Sequence, residues 1–129
     1  MLASGLAMDN DDTLVPTILP VNVSLGLLVG VLTLFRIIWW WFFDRRPAPV
    51  AGMSATQEWA ARLVHLGLYV AILIMVASGV GMLALTGAAP AIFSGGVLPE
   101  FSDVAPYFMH GLMSRLLIAL VLGHIVAAL

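Results

Sequence analysis

The stretch HGLMSRLLIALVLGHIVAAL, residues 110–129, decides the fold of this chain. It is apolar apart from one serine, one arginine and two histidines, His110 and His124. At about 100° per residue, fourteen residues complete four turns less about 40°, so both imidazoles are predicted to lie on nearly one face of a helix. They would stand about 21 Å apart along the helix axis. The helix itself is predicted to cover residues 105–129.

Two ionisable side chains on one face of an apolar helix predict a functional site, because such residues are costly in lipid. Neutral imidazole is a common axial ligand of haem iron. We therefore expect two metal sites at two depths, with haem irons held by His110 and His124. The alternative is that each histidine only hydrogen-bonds a neighbouring helix.

The composition places the chain in a membrane. Hydrophobic residues make up 62% of it, charged residues 9%, and the mean hydropathy is +1.09, whereas a soluble domain is about one quarter charged. The 129 residues leave room for three or four crossings of about 20 residues each in a single domain. Apolar runs of this length predict an all-α integral membrane helical bundle in contact with the lipid bilayer.

The composition also excludes several classes of function. The chain has no cysteine, which excludes disulfides, covalently attached haem and iron–sulfur clusters, so any haem would be held non-covalently. A net charge of −2 without a basic patch gives no sign of nucleic-acid binding. No catalytic triad, phosphate loop or pair of catalytic carboxylates is present, so whether the protein is an enzyme stays open.

Three full spans are predicted, at residues 23–43, 59–85 and 105–129, together with a remnant of a preceding helix at residues 1–8. Pro16 and Pro20 are expected to mark a loop or the first turn of the first span. The second span has Ser54 or Thr56 available as its N-cap and Gly87 just beyond its end.

Aromatic and arginine residues predict the orientation. Trp39, Trp40 and Trp41 form an aromatic belt at the end of the first span. Arg45 and Arg46 follow at once and indicate a cytoplasmic loop at residues 44–56.

This orientation assigns depths to the polar residues. It places His110 near the outer face and His124 near the inner face. Asn22 would lie level with His110, and His65 near the depth of His124.

The remaining polar residues of the spans each allow two interpretations. His65 is either a structural hydrogen-bonder or a metal ligand. Arg36, Arg62 and Arg115 either extend their side chains to the membrane boundary or pair with a carboxylate such as a haem propionate. Gly26 and Gly30 form a G-x-x-x-G face that permits close approach of another helix or of a flat cofactor.

Several motifs occur in a fixed order along the chain. They are V-x-V-S-L-G at residues 21–26, T-L-x-R-I-I-W at 33–39, an RRPAP loop, A-R-L-V-H-L-x-L-Y at 61–69, and H-x13-H on the last helix. In this order they resemble the bacterial cytochrome b561 proteins, relatives of the cytochrome b subunits of nickel–iron hydrogenases and formate dehydrogenases. The resemblance covers residues 6–129.

The resemblance implies a four-helix bundle that binds two b-type haems, one near each membrane face. In the family pattern the last helix gives one axial histidine to each haem, at positions matching His110 and His124. The second ligand of the outer haem would fall at Asn22, which is a poor iron ligand, and that of the inner haem in the helix of which residues 1–8 remain. We therefore expect a truncated or divergent member, in which His65 could approach the haem at His124.

The expected function is that of a transmembrane b-type cytochrome in the bacterial inner membrane. It would bind one or two non-covalent b haems and move electrons between them and a quinone or a partner redox protein. A homodimer or a partner subunit could supply the missing helix. The alternative is a haem-free, divergent membrane bundle that acts as a structural or anchor subunit. An ion or proton pathway is a weaker third interpretation, because no carboxylate lies within the spans.

Overall fold

The computed structural model of the protein describes residues 12–43 and 52–128. Within these ranges a 3-10 turn at Asp12–Leu14 leads into the long helix α1, Val15–Phe42, which is followed by α2, Ala55–Thr86. A short helix α3, Ala89–Ser94, precedes the last helix α4, Ala105–Ala128. The helices α1, α2 and α4 are each long and apolar enough to cross a membrane. The prediction of an all-α integral membrane bundle is confirmed.

Helix α1 begins at Val15, two turns before residue 23, where the predicted membrane span begins. Pro16 lies in the first turn, where a missing backbone N–H leaves no hydrogen bond unmade. Pro20 lies inside the helix, and the Ser24 hydroxyl donates a hydrogen bond of 2.8 Å to its carbonyl. The helix tolerates Pro20 because the proline removes a single hydrogen bond close to the helix start.

Helix α2 begins and ends at the predicted signals. Ser54 is its N-cap, with its side chain accepting from the Gln57 N–H while the Gln57 side chain accepts from the Ser54 N–H. This reciprocal arrangement is a capping box. At the other end Gly87 has a φ of 63° and ends the helix in a left-handed conformation. Ser54 and Gly87 are thus confirmed as cap residues, although the helix starts four residues before the predicted residue 59.

Helix α4 packs antiparallel along α2 and makes its main tertiary contacts there. Gly81 lies against Pro106 near the start of α4, and Gly67 lies against Leu120 near its end. The segment at residues 88–106, between α2 and α4, contains the short helix α3.

Helix α1 packs on α2 at Gly30, which is buried. A Cβ atom on Gly30 would lie only 2.8 Å from Cγ1 of Val76. The close helix approach expected of Gly30 is therefore present. The beginning of α1 lies beside α3, where Pro16 and Ile92 line a common cleft, so α1 also runs antiparallel to α2.

The bundle therefore has two ends. The His110 end contains the start of α1, the end of α2, α3 and the start of α4. The His124 end contains the end of α1, the start of α2 and the end of α4. The predicted remnant at residues 1–8 and the arginines Arg45 and Arg46 lie outside the described residues.

The loop before α4 carries a stable negative charge at the His110 end. The backbone N–H and the hydroxyl of Ser102 both donate to the Glu100 carboxylate, at 3.2 and 2.9 Å. These hydrogen bonds lower the pKa of Glu100 from its ordinary value. Glu100 is therefore ionised at neutral pH.

Candidate functional site

His110 is held in the interface between α4 and α2. Its ring is half-buried, and its Nδ1 atom lies 3.0 Å from the Ser78 hydroxyl oxygen and 3.1 Å from the Met75 carbonyl oxygen. The neighbouring residue is Gly79, where a Cβ atom would stand 3.3 Å from Cε1 of His110. The absence of a side chain at Gly79 therefore leaves the space that the imidazole occupies.

These hydrogen bonds select the tautomer of His110. The Ser78 hydroxyl donates its proton to the Met75 carbonyl at 2.9 Å, and a carbonyl oxygen can only accept. The Nδ1 atom must therefore carry the ring proton and donate it. The other ring nitrogen, Nε2, then carries the lone pair, which is the form of imidazole that binds a metal ion.

His124 has a different environment. Its ring meets that of His65 on α2, with a centroid distance of 5.5 Å and an angle of 62° between the ring planes. Both side chains are exposed on the bundle surface. The expectation that His65 lies near the depth of His124 agrees with this contact.

A cleft of about 400 Å³ opens beside the two rings. His65 and His124 line it together with Ala60, Ala61 and Gly123, among other residues. This volume falls within the range of about 300–1,000 Å³ that is typical of small-molecule sites. Apart from the adjoining turns of α4, no atom of the residues that the structure describes lies within 4 Å of the position that a Cβ on Gly123 would take, so a flat group can approach the backbone of α4 there.

Both histidines of α4 therefore face α2, as their spacing indicates. Ser78, which contacts His110, and His65, which contacts His124, lie thirteen residues apart on α2 and so about 20 Å apart along its axis. The helix pair thus displays imidazoles at two depths.

The three arginines differ in their surroundings. Arg62 pairs with Glu58 one turn earlier on α2, and it lies one turn before His65. Arg36 and Arg115 are exposed, and neither forms an ion pair with a described residue. Arg115 follows His110 by five residues and so lies about 140° around α4 from it.

The hydrogen bonds to His110 come from α2, not from α1, which carries the half-buried Asn22. Neither Ser78 nor Gly79 was predicted from the sequence as part of the site. A signal was present, since this Ser-Gly pair interrupts an apolar run of α2. Among the described residues the buried polar side chains are Thr33 and Ser78, but the antiparallel register was needed to bring Ser78 to His110.

The family model of prokaryotic cytochrome b561 matches residues 1–129. The chain belongs to the prokaryotic cytochrome b561 family. As a member of this family it is a membrane protein of the b-type haem electron-transfer class. A search of curated proteins and a search of solved structures each found no match.

The side chains of this cytochrome b561-family protein fit a non-covalently bound haem. Its iron needs imidazole nitrogens with an available lone pair. His110 provides such a nitrogen through its tautomer, and the rings at the His124 end border an open cleft whose lining includes both small residues and the larger Met53, Gln57 and Val64.

Proposed function

We propose that this protein is a transmembrane b-type cytochrome of the bacterial inner membrane, with haem held at two depths by His110 and His124. When bound, haem iron supplies a one-electron redox couple. The proposal is supported chiefly by the two imidazoles at opposite ends of the α2–α4 interface, about 21 Å apart on α4. Electrons would enter and leave through a quinone or a partner redox protein.

The described residues would contribute positioning and shielding. The Met75 carbonyl and Ser78 orient the His110 ring, as outer hydrogen-bond partners do for metal-binding histidines. The half-buried position of His110 between α2 and α4 would limit the access of water to that ligand. His65 at the His124 end would act either as a ligand or as a hydrogen-bond donor to a propionate or quinone.

Arg36, Arg62 and Arg115 are proposed as partners of haem propionates, because a guanidinium can hold a carboxylate with two parallel hydrogen bonds. Arg62 has the strongest geometric support, since it lies one turn from His65. A second copy of the chain or a partner subunit could add a further helix to the bundle.

A visible spectrum tests the proposal. The protein, purified in detergent, should show b-type bands in a reduced-minus-oxidised spectrum and contain up to two haems per chain. The double variant H110A/H124A should lose these bands, whereas the double variant M109A/I125A, which changes the adjacent residues of α4, should keep them. A haem-free wild-type protein would contradict the proposal and favour a structural or anchor role for the bundle.

A further inference from the structure

The cleft at the His124 end has one polar side chain besides the two imidazoles. Among the described residues that line it, Gln57 is polar, and the others apart from His65 and His124 are apolar. Gln57 is the third residue of α2 and lies eight residues before His65, which is about 12 Å along the helix axis. The cleft therefore extends from the two rings to the first turn of α2.

The capping box fixes which end of the Gln57 amide is engaged. Its Oε1 atom accepts from the backbone N–H of Ser54 at 2.9 Å and from the Ser54 hydroxyl at 3.1 Å. A backbone N–H can only donate, so the atom that faces it must be the amide oxygen. The Nε2 atom carries two N–H groups, and no described residue accepts a hydrogen bond from them. The helix cap thus holds the amide and leaves its donors available beside the cleft.

We propose that Gln57 donates a hydrogen bond to a propionate of the haem at the His124 end. This inference rests on the proposed function, concerns the propionate edge of the group, and assigns no further ligand to the iron. A charge is costly within lipid, so the edge that carries the propionates should lie toward the first turn of α2, with the iron deeper beside His124. A hydrogen bond to an ionised carboxylate is also stronger than one between neutral groups.

Glutamine divides two tasks between the two atoms of its amide. The oxygen accepts from Ser54 and caps the helix, while the nitrogen can donate to a carboxylate. Glutamate at this position forms the same capping box but would present a negatively charged oxygen to the propionate. Lysine can donate but cannot accept from Ser54. The substitutions Q57E and Q57K therefore separate the role of Gln57 in the helix cap from its role as a donor.

The rate of haem loss distinguishes the two roles. The haem at the His124 end is identified as the haem that H124A removes, and its transfer to an acceptor protein is timed in each variant. Q57E should lose this haem about 10-fold faster than wild type, as expected for the loss of a hydrogen bond to a charged group, although its helix cap is kept. Q57K should hold the haem as firmly as wild type, although its cap is lost. A residue that only capped the helix would give the opposite order.

A vibrational spectrum tests the contact itself. The bending band of the haem propionates in the resonance Raman spectrum responds to hydrogen bonding at the carboxylate, so this band should shift in Q57E relative to wild type. The matched control is T56E, which adds the same charge at the adjacent residue, about 100° around α2 from Gln57. T56E should change neither the propionate band nor the rate of haem loss.

Three results would each overturn this inference and leave the proposed function intact: faster haem loss from Q57K than from Q57E, an unchanged propionate band in Q57E, or equal haem loss from Q57E and T56E. A wild-type protein without haem would instead remove the proposed function, and this inference with it. Retention of the haem at His110 in each variant serves as the check that the bundle has folded.

Discussion

The two histidines of α4 face the same neighbouring helix but are held in different ways. His110 is half-buried, donates from Nδ1 to the Met75 carbonyl and lies close to Gly79. His124 is exposed, meets another imidazole and borders a cleft. The first arrangement fixes one ring before any ligand arrives, whereas the second brings together two rings that a ligand could join. The two ends of one helix pair thus combine a preorganised site with an open one.

Single replacements of the histidines should have the largest effects, since each should remove the haem from one end of the bundle and leave the haem at the other end in place. H110A should remove the haem at its own end and H124A the haem at the other, because each variant deletes an axial ligand. Redox titration of the visible bands, together with the haem content per chain, would measure how much haem each end binds. M109A and I125A serve as matched controls. If either histidine variant removed both haems while the protein stayed folded, the ends would not be independent sites.

Glycine replacements should have the next largest effects. G79V should displace the His110 ring, because even a Cβ atom there would lie 3.3 Å from Cε1, and the haem at His110 should be lost. G123V should block the cleft and reduce haem at the His124 end. The haem content and the redox titration curve of each glycine variant would be measured. The control is A119V, a substitution at an exposed site of α4. Equal losses from G79V at both ends would contradict the assignment of Gly79 to the His110 site.

Overpacking between α1 and α2 should lower stability without favouring either end. A Cβ atom in G30A would lie 2.8 Å from Val76, and overpacking of this kind costs about 1–3 kcal/mol. Thermal unfolding in detergent should show a lower midpoint, and the second substitution in G30A/V76A should restore it. A selective loss of one haem in G30A would show that α1 contributes to that site.

Ser78 should have a smaller and local effect. S78A removes one hydrogen-bond partner of the His110 ring but keeps the Met75 carbonyl, so haem at His110 should be held about 10-fold more weakly, at the lower end of the range for outer partners of metal ligands. Haem transfer to an acceptor protein would measure this. S94A, which changes an exposed serine in α3, is the control. An S78A effect at the His124 end would contradict the local role.

Arg62 should give the smallest change. R62Q removes a positive charge one turn from His65, which should lower the midpoint potential of the haem at the His124 end. The lost pair with Glu58 should cost about 0.2–0.5 kcal/mol in stability, as for other pairs at this spacing. R115Q, on another face of α4, should leave that potential unchanged. Redox titration at low and high salt would show whether the effect is electrostatic. A larger shift of the potential in R115Q than in R62Q would indicate that Arg115, not Arg62, lies beside the haem at the His124 end.

The sequence predicted the features that depend on local chemistry. Ser54 and Gly87 were recognised as cap residues because capping uses side chains a few residues away, and the two α4 histidines were placed on one face because helical geometry is regular. Pro16 and Pro20 were expected to mark a loop or a first turn, and both lie within α1, because a proline near a helix start removes few backbone hydrogen bonds. Ser78 was missed because its contact with His110 depends on the register of two antiparallel helices, which no local pattern encodes.

The tryptophans provide a built-in optical reporter for one end of the molecule. All four tryptophans of the chain, at positions 39, 40, 41 and 59, lie at the end of α1 or the start of α2. Haem quenches indole emission by energy transfer, which weakens steeply with distance. Intrinsic fluorescence should therefore fall mainly when the cleft beside His124 is filled, so that a simple emission titration distinguishes loading of the two ends.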